Sequence, residues 1–270
     1  MIESVRDTVG HPAHILLDTT RRLIIGHRGA AAHAPENTLP SFRLAERAGA
    51  DVLELDVHLS ADGVPVVIHD PSLLRTSGRD LVVAAESFAR LQDADAGSRF
   101  TRDGGRTFPW RGRGIQIPSL EEVVTAFPKM PLLIELKVRG AGEAVRRVLW
   151  RAGALNRSLL VSFDHRAVAA FRDGTTVTGA GRIEMIALFA RALLRQLPRR
   201  VPYQAVFVPR HYWGLEIPPA PFTYAGRELG IAVHTWVEND PVVARQLWSM
   251  GINGIVTDDP GALRVSRDSG

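Results

Sequence analysis

Short apolar runs that end on a polar residue, separated by amphipathic helices, restrict the fold of this chain more than any other feature. Strands are predicted at 24–27, 131–137, 159–163, 205–208, 231–236 and 254–257, and helices at 38–49, 141–152, 164–171, 221–229 and 241–250. Such βα alternation demands a parallel sheet covered by helices, either a closed (β/α) barrel or an open doubly wound sheet. Two features favour the barrel. His27, Glu54, Asp56, Glu135, Lys137, Ser162, Trp236, Thr257 and Asp258 all fall at strand C-terminal ends, which a barrel gathers on one face. No early Gly-x-Gly-x-x-Gly joins a strand to a helix, as a dinucleotide-binding sheet requires. About nine strand candidates compete for the barrel's eight places, so one is surplus: either 175–178 or an arm of the stretch at 54–70.

That stretch carries the densest chemistry. Glu54, Asp56 and His58 alternate with Leu55, Val57 and Leu59, so a strand aims all three polar side chains at one face. Ser60, Ala61, Asp62 and Gly63 then read as a tight turn, and the β-branched run 64–68 leads to His69 and Asp70. A hairpin here returns His69 to the side of Glu54 and Asp56. Residues 71–118 are turn-rich with a short helix near 86–91, too long for a plain loop and expected to form a lid or small inserted subdomain. Ser119 reads as the N-cap of the helix that follows.

Composition excludes several function classes. There is no cysteine, hence no disulfide, thiolate zinc site or cysteine nucleophile. All but two of the 33 basic residues are arginine, but they are scattered among acids, without the basic stripe and interleaved aromatics of a nucleic-acid surface. No apolar run is long enough to span a membrane, and residues 1–21 read as a leading helix or arm without a secretory pattern, so the expected location is cytoplasmic.

Glu135 and Lys137 repeat the same logic on another apolar strand, two residues apart and facing one way. Three carboxylates, Glu54, Asp56 and Glu135, cannot share a barrel interior uncompensated, and a divalent cation resolves their repulsion. An all-oxygen set suits Mg²⁺, Ca²⁺ or Mn²⁺ rather than Zn²⁺. His27 and His69 flank it as candidate acid and base, while Arg28 and Lys137 add positive charge for an anion, most naturally a phosphate. His58 lies nearer the turn and reads as structural.

These residues resemble those of the glycerophosphodiester phosphodiesterases. The matching stations are His27-Arg28-Gly29, Pro35-Glu36-Asn37-Thr38, Glu54-Leu55-Asp56, Asp62-Gly63, His69-Asp70-Pro71, Ile117 to Glu121, Ile134 to Lys137, Ser162-Phe163, Trp236 with Asn239, and Thr257-Asp258 with Pro260. They run in the family's order from Ile24 to Pro260. The resemblance implies one TIM-type (β/α)8 barrel domain over 1–270, with a small insertion at about 71–118. It implies one divalent cation held by Glu54, Asp56 and Glu135, acid–base roles for His27 and His69, phosphate contacts from Arg28 and Lys137, and a substrate pocket lined by Trp236. Glu36 and Asn37 would support the His27 loop and the metal from behind. It further implies attack on phosphorus by the substrate's own neighbouring hydroxyl, through a cyclic phosphate.

Residues 175–219 depart from the family's simplest pattern. Met185, Ile186, Phe189, Leu193, Leu194 and Leu197 make an apolar stripe flanked by Arg191, Arg195, Arg199 and Arg200, read either as a barrel helix or as a membrane-surface helix over about 181–200. The segment resembles the branch that accepts lysophospholipids, so the expected substrate is a glycerophosphodiester, with lysophospholipase D or sphingomyelinase-D-like cleavage of single-chain lipids as the alternative. No residue names the head group or an oligomeric state.

Overall fold

Parallel strands wrap into a barrel in the computed structural model, which describes residues 14–268. In chain order the strands are β1 (Leu23–Gly26), β2 (Val52–Leu59), β3 (Pro65–Val67), β4 (Leu132–Leu136), β5 (Ser158–Val161), β6 (Val177–Thr178), β7 (Ala205–Pro209), β8 (His211–Tyr212), β9 (Leu215–Glu216), β10 (Ala232–Trp236) and β11 (Gly254–Thr257). The barrel path runs β6-β5-β4-β2-β1-β11-β10-β7, every neighbouring pair parallel. It closes between β6 and β7 through a parallel bridge from Gly179 to Ala205 and a bond from the Gln204 N–H to the Thr178 carbonyl at 2.9 Å. Residues 175–178 therefore supply a barrel strand. The surplus strand is β3, which pairs antiparallel with β2 (Val57 opposite Val67, Leu59 opposite Pro65) and lies off the path.

The helices are α1 (Leu39–Ala48), α2 (Leu74–Ser77), α3 (Phe88–Gln92), α4 (Leu120–Ala126), α5 (Gly142–Arg151), α6 (Arg182–Leu193), α7 (Ala220–Leu229), α8 (Pro241–Ser249) and α9 (Pro260–Asp268). Local chemistry explains their ends. Thr38 caps α1, whose chain leaves through Gly49 at φ 88°, a left-handed turn that glycine adopts without strain. Ser119 and Glu122 form a reciprocal capping box on α4.

Alternation along the strands divides apolar side chains between two environments. Leu53, Leu55, Val57, Ile134 and Leu136 pack outward with Phe42, Val123 and Val145 from the helices. Leu23, Ile25, Val52, Leu133, Leu159, Phe207 and Val256 point inward and pack with Leu16. On β2 and β4 the interior is thus apolar at the N-terminal end (Val52, Leu133) and acidic further along (Glu54, Asp56, Glu135). The apolar layer is a floor, and the charged layer lies above it.

Three expectations need correction. The helix expected at 164–171 is a run of turns ending in a 3-10 turn at Ala169–Phe171, because the Ala167, Ala169 and Phe171 N–H groups bond to carbonyls three residues back (Asp164, Arg166 and Val168) rather than four. The strand expected at 64–68 is only the three residues of β3. On α6 the buried face is Met185, Leu188 and Ala192, whereas Ile186, Leu193 and Leu194 are exposed. Within 71–118, Leu73, Val83, Leu91, Ala94 and Ile117 pack on Val66 and Ile68. Of the leading segment, 1–13 lies outside the described residues, and among those described no helix is long and apolar enough to cross a membrane.

Candidate active site

Register brings the acids together. Asp56 on β2 is directly opposite Glu135 on β4, and Glu54 precedes Asp56 by one pleat on the same face. The three carboxylates are buried, each offering an oxygen within 4.8 Å of the others. Lys137 Nζ sits 2.9 Å from both Asp56 Oδ1 and Glu135 Oε2, and Arg28 Nε is 3.2 Å from Asp56 Oδ2. Two cations against three carboxylates leave one negative charge unbalanced. Burial, with Asp56 alongside, accordingly pushes Glu54 up to about 8. Burial also raises Glu135 despite Lys137, whereas at Asp56 the same burial is outweighed by Lys137 and Arg28, which hold it low. A hard divalent cation fits this oxygen-only donor set, and it turns the surplus into one positive charge, matching a phosphodiester's single negative charge.

The loop after β1 is built to face these acids. The His27 N–H donates to the Thr257 carbonyl at 2.8 Å, continuing the strand, and the chain then breaks at Arg28. Arg28 is left-handed (φ 49°), which turns its backbone N–H onto Glu54 Oε2 at 2.8 Å. Gly29 follows at φ 91°, where a Cβ would come within 2.4 Å of Ser41 Oγ, so the loop lies directly on α1. Asn37, also left-handed, donates Nδ2–H to Asp56 Oδ2 at 2.8 Å, and Glu36 accepts from Arg28 Nη1 at 2.7 Å.

Each imidazole has a carboxylate on Nδ1. His27 Nδ1 is 2.7 Å from Asp258 Oδ1, and His69 Nδ1 is 2.6 Å from Asp70 Oδ1. Such a partner fixes the tautomer and leaves Nε2 for proton transfer. Their environments differ in sign. Burial works against protonating His27, but Asp258 and Glu54 outweigh it and raise the ring above its ordinary value. At His69 burial prevails over Asp70 and Asp56, and the ring is held below that value. Trp236 ends β10 with its ring on Phe163 (6.0 Å) and Phe207 (5.4 Å), an aromatic wall at the same end of the barrel.

The sequence reading assigned no role to Asp258, Asp70 or Arg75. Asp70 carried a signal, being adjacent to His69, but Asp258 reaches His27 only because β11 closes against β1. His58 makes a structural contact: its Nε2–H donates to the His69 carbonyl at 3.0 Å and holds the end of the hairpin.

Residues 27–262 match the sequence profile of the glycerophosphoryl diester phosphodiesterase family. The chain belongs to that family. It is therefore a phosphoric diester hydrolase, a glycerophosphodiester phosphodiesterase. This phosphodiesterase is 33% identical over 88% of its length to 94% of YhdW of Bacillus subtilis, a candidate glycerophosphodiester phosphodiesterase. It is 25% identical over 89% of its length to 84% of the human lysophospholipase D GDPD1. The glycerophosphoryl diester phosphodiesterase domain of Rv2277c from Mycobacterium tuberculosis superposes with a TM-score of 0.80 at 24% identity, covering 93% of this chain and all (100%) of that one. An Oleispira antarctica phosphodiesterase, solved with the product sn-glycerol-3-phosphate, superposes with a TM-score of 0.74 at 24% identity, over 93% of this chain and 99% of that one. At that identity both show the TIM-barrel fold.

Proposed function

We propose that this phosphodiesterase cleaves a glycerophosphodiester to glycerol 3-phosphate and an alcohol by acid–base catalysis with two histidines, with a divalent cation bound. The observation that carries this is the pair of imidazoles, each backed by an aspartate and held in opposite senses, at the mouth containing the buried carboxylates. Glu54, Asp56 and Glu135 would hold the cation, which supplies charge neutralisation at phosphorus when bound. Arg28 and Lys137 orient the phosphate. His69, neutral, takes the proton of the attacking neighbouring hydroxyl of the glycerol, and His27, protonated, gives one to the leaving alkoxide; water then opens the cyclic phosphate to glycerol 3-phosphate, with the two proton transfers reversed. The glycerol 3-phosphate complex of the Oleispira protein supports the same product here. The test is choline release from glycerophosphocholine with and without chelator, and in His27→Ala and His69→Ala. Loss of activity in all three is expected, and full activity in any of them overturns the corresponding part.

A second reading, lysophospholipid cleavage, is favoured by apolar surface around the site. Phe163 and Trp236 stand beside exposed Val237, and the β8–β9 hairpin presents Trp213, 90% exposed, and Leu215. Leading away from the mouth, the exposed face of α6 carries Ile183, Ile186 and Leu193, with exposed Leu194 just past it and exposed Arg191, Arg199 and Arg200 at or beyond its end, a separate pattern suited to an anionic lipid surface. The human lysophospholipase D supports it by likeness. Faster choline release from lysophosphatidylcholine than from glycerophosphocholine, with vesicle binding lost in the Leu193→Glu/Leu194→Glu variant, is the expected outcome. Equal or slower release together with no vesicle binding would exclude it.

A further inference from the structure

Arg75, on α2 of the 71–118 segment, has no place in the chemistry above, yet its guanidinium ties together two of the loops that carry it. Nη1 and Nη2 donate to Glu36 Oε2 and Oε1, each at 2.7 Å. Nε donates to Asp70 Oδ2 at 2.6 Å, and Nη2 also reaches Asp70 Oδ1 at 3.1 Å. These carboxylates lead to different parts of the site. Glu36 also accepts from Arg28 Nη1 at 2.7 Å, and Asp70 also binds His69 Nδ1 at 2.6 Å. One planar group therefore joins the Arg28 loop after β1 to the His69 loop after β3.

We propose that Arg75 is a positioning residue of the reaction: it holds Asp70 square to His69, and so sets the His69 ring relative to the phosphate bound by Arg28. The proposal rests on the roles of His69 and Arg28 given above. Geometry favours this over a surface ion pair. Both carboxylates are engaged through two oxygens, an arrangement only a guanidinium fork can make; a lysine ammonium is a point charge and holds one carboxylate at a time. Without the fork, Asp70 is tethered by a single bond to a half-exposed imidazole and is free to rotate about its own χ angles. A ring displaced by an ångström forfeits much of the gain from orientation. The segment at 71–118 thereby acquires a catalytic purpose, since Leu73 and Val83 in its small core anchor the chain on either side of α2. Arg28 retains Asp56 at 3.2 Å when Arg75 is removed, so phosphate binding is expected to survive.

The test is steady-state hydrolysis of glycerophosphocholine by the metal-supplemented full chain as Arg75→Ala, Arg75→Lys, Asp70→Asn and the Arg75→Ala/Asp70→Asn double variant. Arg75→Ala and Arg75→Lys are expected to lower kcat about 10- to 100-fold with KM within about threefold of wild type. Guanidinium ion added to Arg75→Ala should restore part of kcat and leave the wild type unaffected. The double variant should be scarcely slower than Asp70→Asn, because both act through one bond. Should Arg75→Ala fail to fold, Arg75→Lys keeps the charge and carries the same comparison. A kcat within twofold of wild type in either folded variant, or losses that multiply in the double variant, overturns the proposal. His69→Ala separates the two levels: if it is inactive while Arg75→Ala is normal, only this inference fails, and if it is fully active the two-histidine reading fails first.

Discussion

Asp258 accepts a hydrogen bond from His27 Nδ1 at 2.7 Å, and its other oxygen is held at 2.8 Å by Asn239 Nδ2. A fixed carboxylate at this position both orients the ring and favours its charged form. Asp258→Asn preserves shape but removes the charge. We expect kcat to fall about a hundredfold, within the range that general acid catalysis supplies, and the alkaline limb of the pH profile to move to lower pH. Unchanged kcat would remove His27 as proton donor.

The pH profile of the wild-type enzyme should be bell-shaped. In the proposed mechanism the productive form has His27 protonated and His69 neutral. His69 is held below the ordinary 6.5, so activity rises as pH increases through its value, and His27 is held above 6.5, so activity falls as pH increases beyond its own. His69→Ala should lack the acid limb in whatever activity remains. A flat profile measured at saturating metal would contradict the assignment.

Lys137 is the clearest case of a buried charge needed by its neighbours. Lys137→Met leaves Asp56 and Glu135 facing each other with Arg28 alone, a change expected to destabilise the metal-free protein by about 3–5 kcal/mol. A divalent cation should recover part of that stability without restoring turnover, because the proposed phosphate contact of Lys137 is gone. Urea denaturation with and without Mg²⁺ or Ca²⁺ measures both.

Cation binding itself is measurable apart from activity. An ion bound by the native state alone at a hundred times its Kd stabilises by about 2.7 kcal/mol, so Tm should rise with Mg²⁺, Ca²⁺ or Mn²⁺ and return on chelation. Glu135→Gln, which keeps volume but loses charge, should abolish the shift. A shift of full size in that variant would place the ion elsewhere.

His234 predicts an acid weakness unrelated to catalysis. It is fully buried on β10, stacked on Phe207 and donating Nε2–H to the Leu16 carbonyl at 2.9 Å. Burial holds it down at about 4 against an ordinary 6.5. The unfolded chain therefore takes up the proton first: the contribution to stability is complete above 6.5 and is lost progressively as pH falls to about 4, a change of about 3 kcal/mol. Denaturation of His234→Leu should show that much less loss over the same interval.

How much could be read without coordinates follows from the range over which each interaction acts. The alternation of Glu54, Asp56 and His58, the caps at Thr38 and Ser119, and the pairing of Glu135 with Lys137 on one face are decided by residues a few positions apart. Strand period and helix caps are local, and the sequence alone determined them, together with the barrel and the identity of its charged layer. Closure determined the rest. His27 and Asp258 are 231 positions apart and meet because β1 lies beside β11; Glu36 and Arg75, 39 apart, meet because the inserted segment folds back over the loop after β1. The face of α6 that is buried was likewise settled by the helix and strands beside it, since an apolar stripe states only that a helix has something to cover. Which carboxylate meets which cation, and which imidazole is raised and which lowered in proton affinity, depends on side chains brought together across the barrel. Only the tertiary structure could decide that.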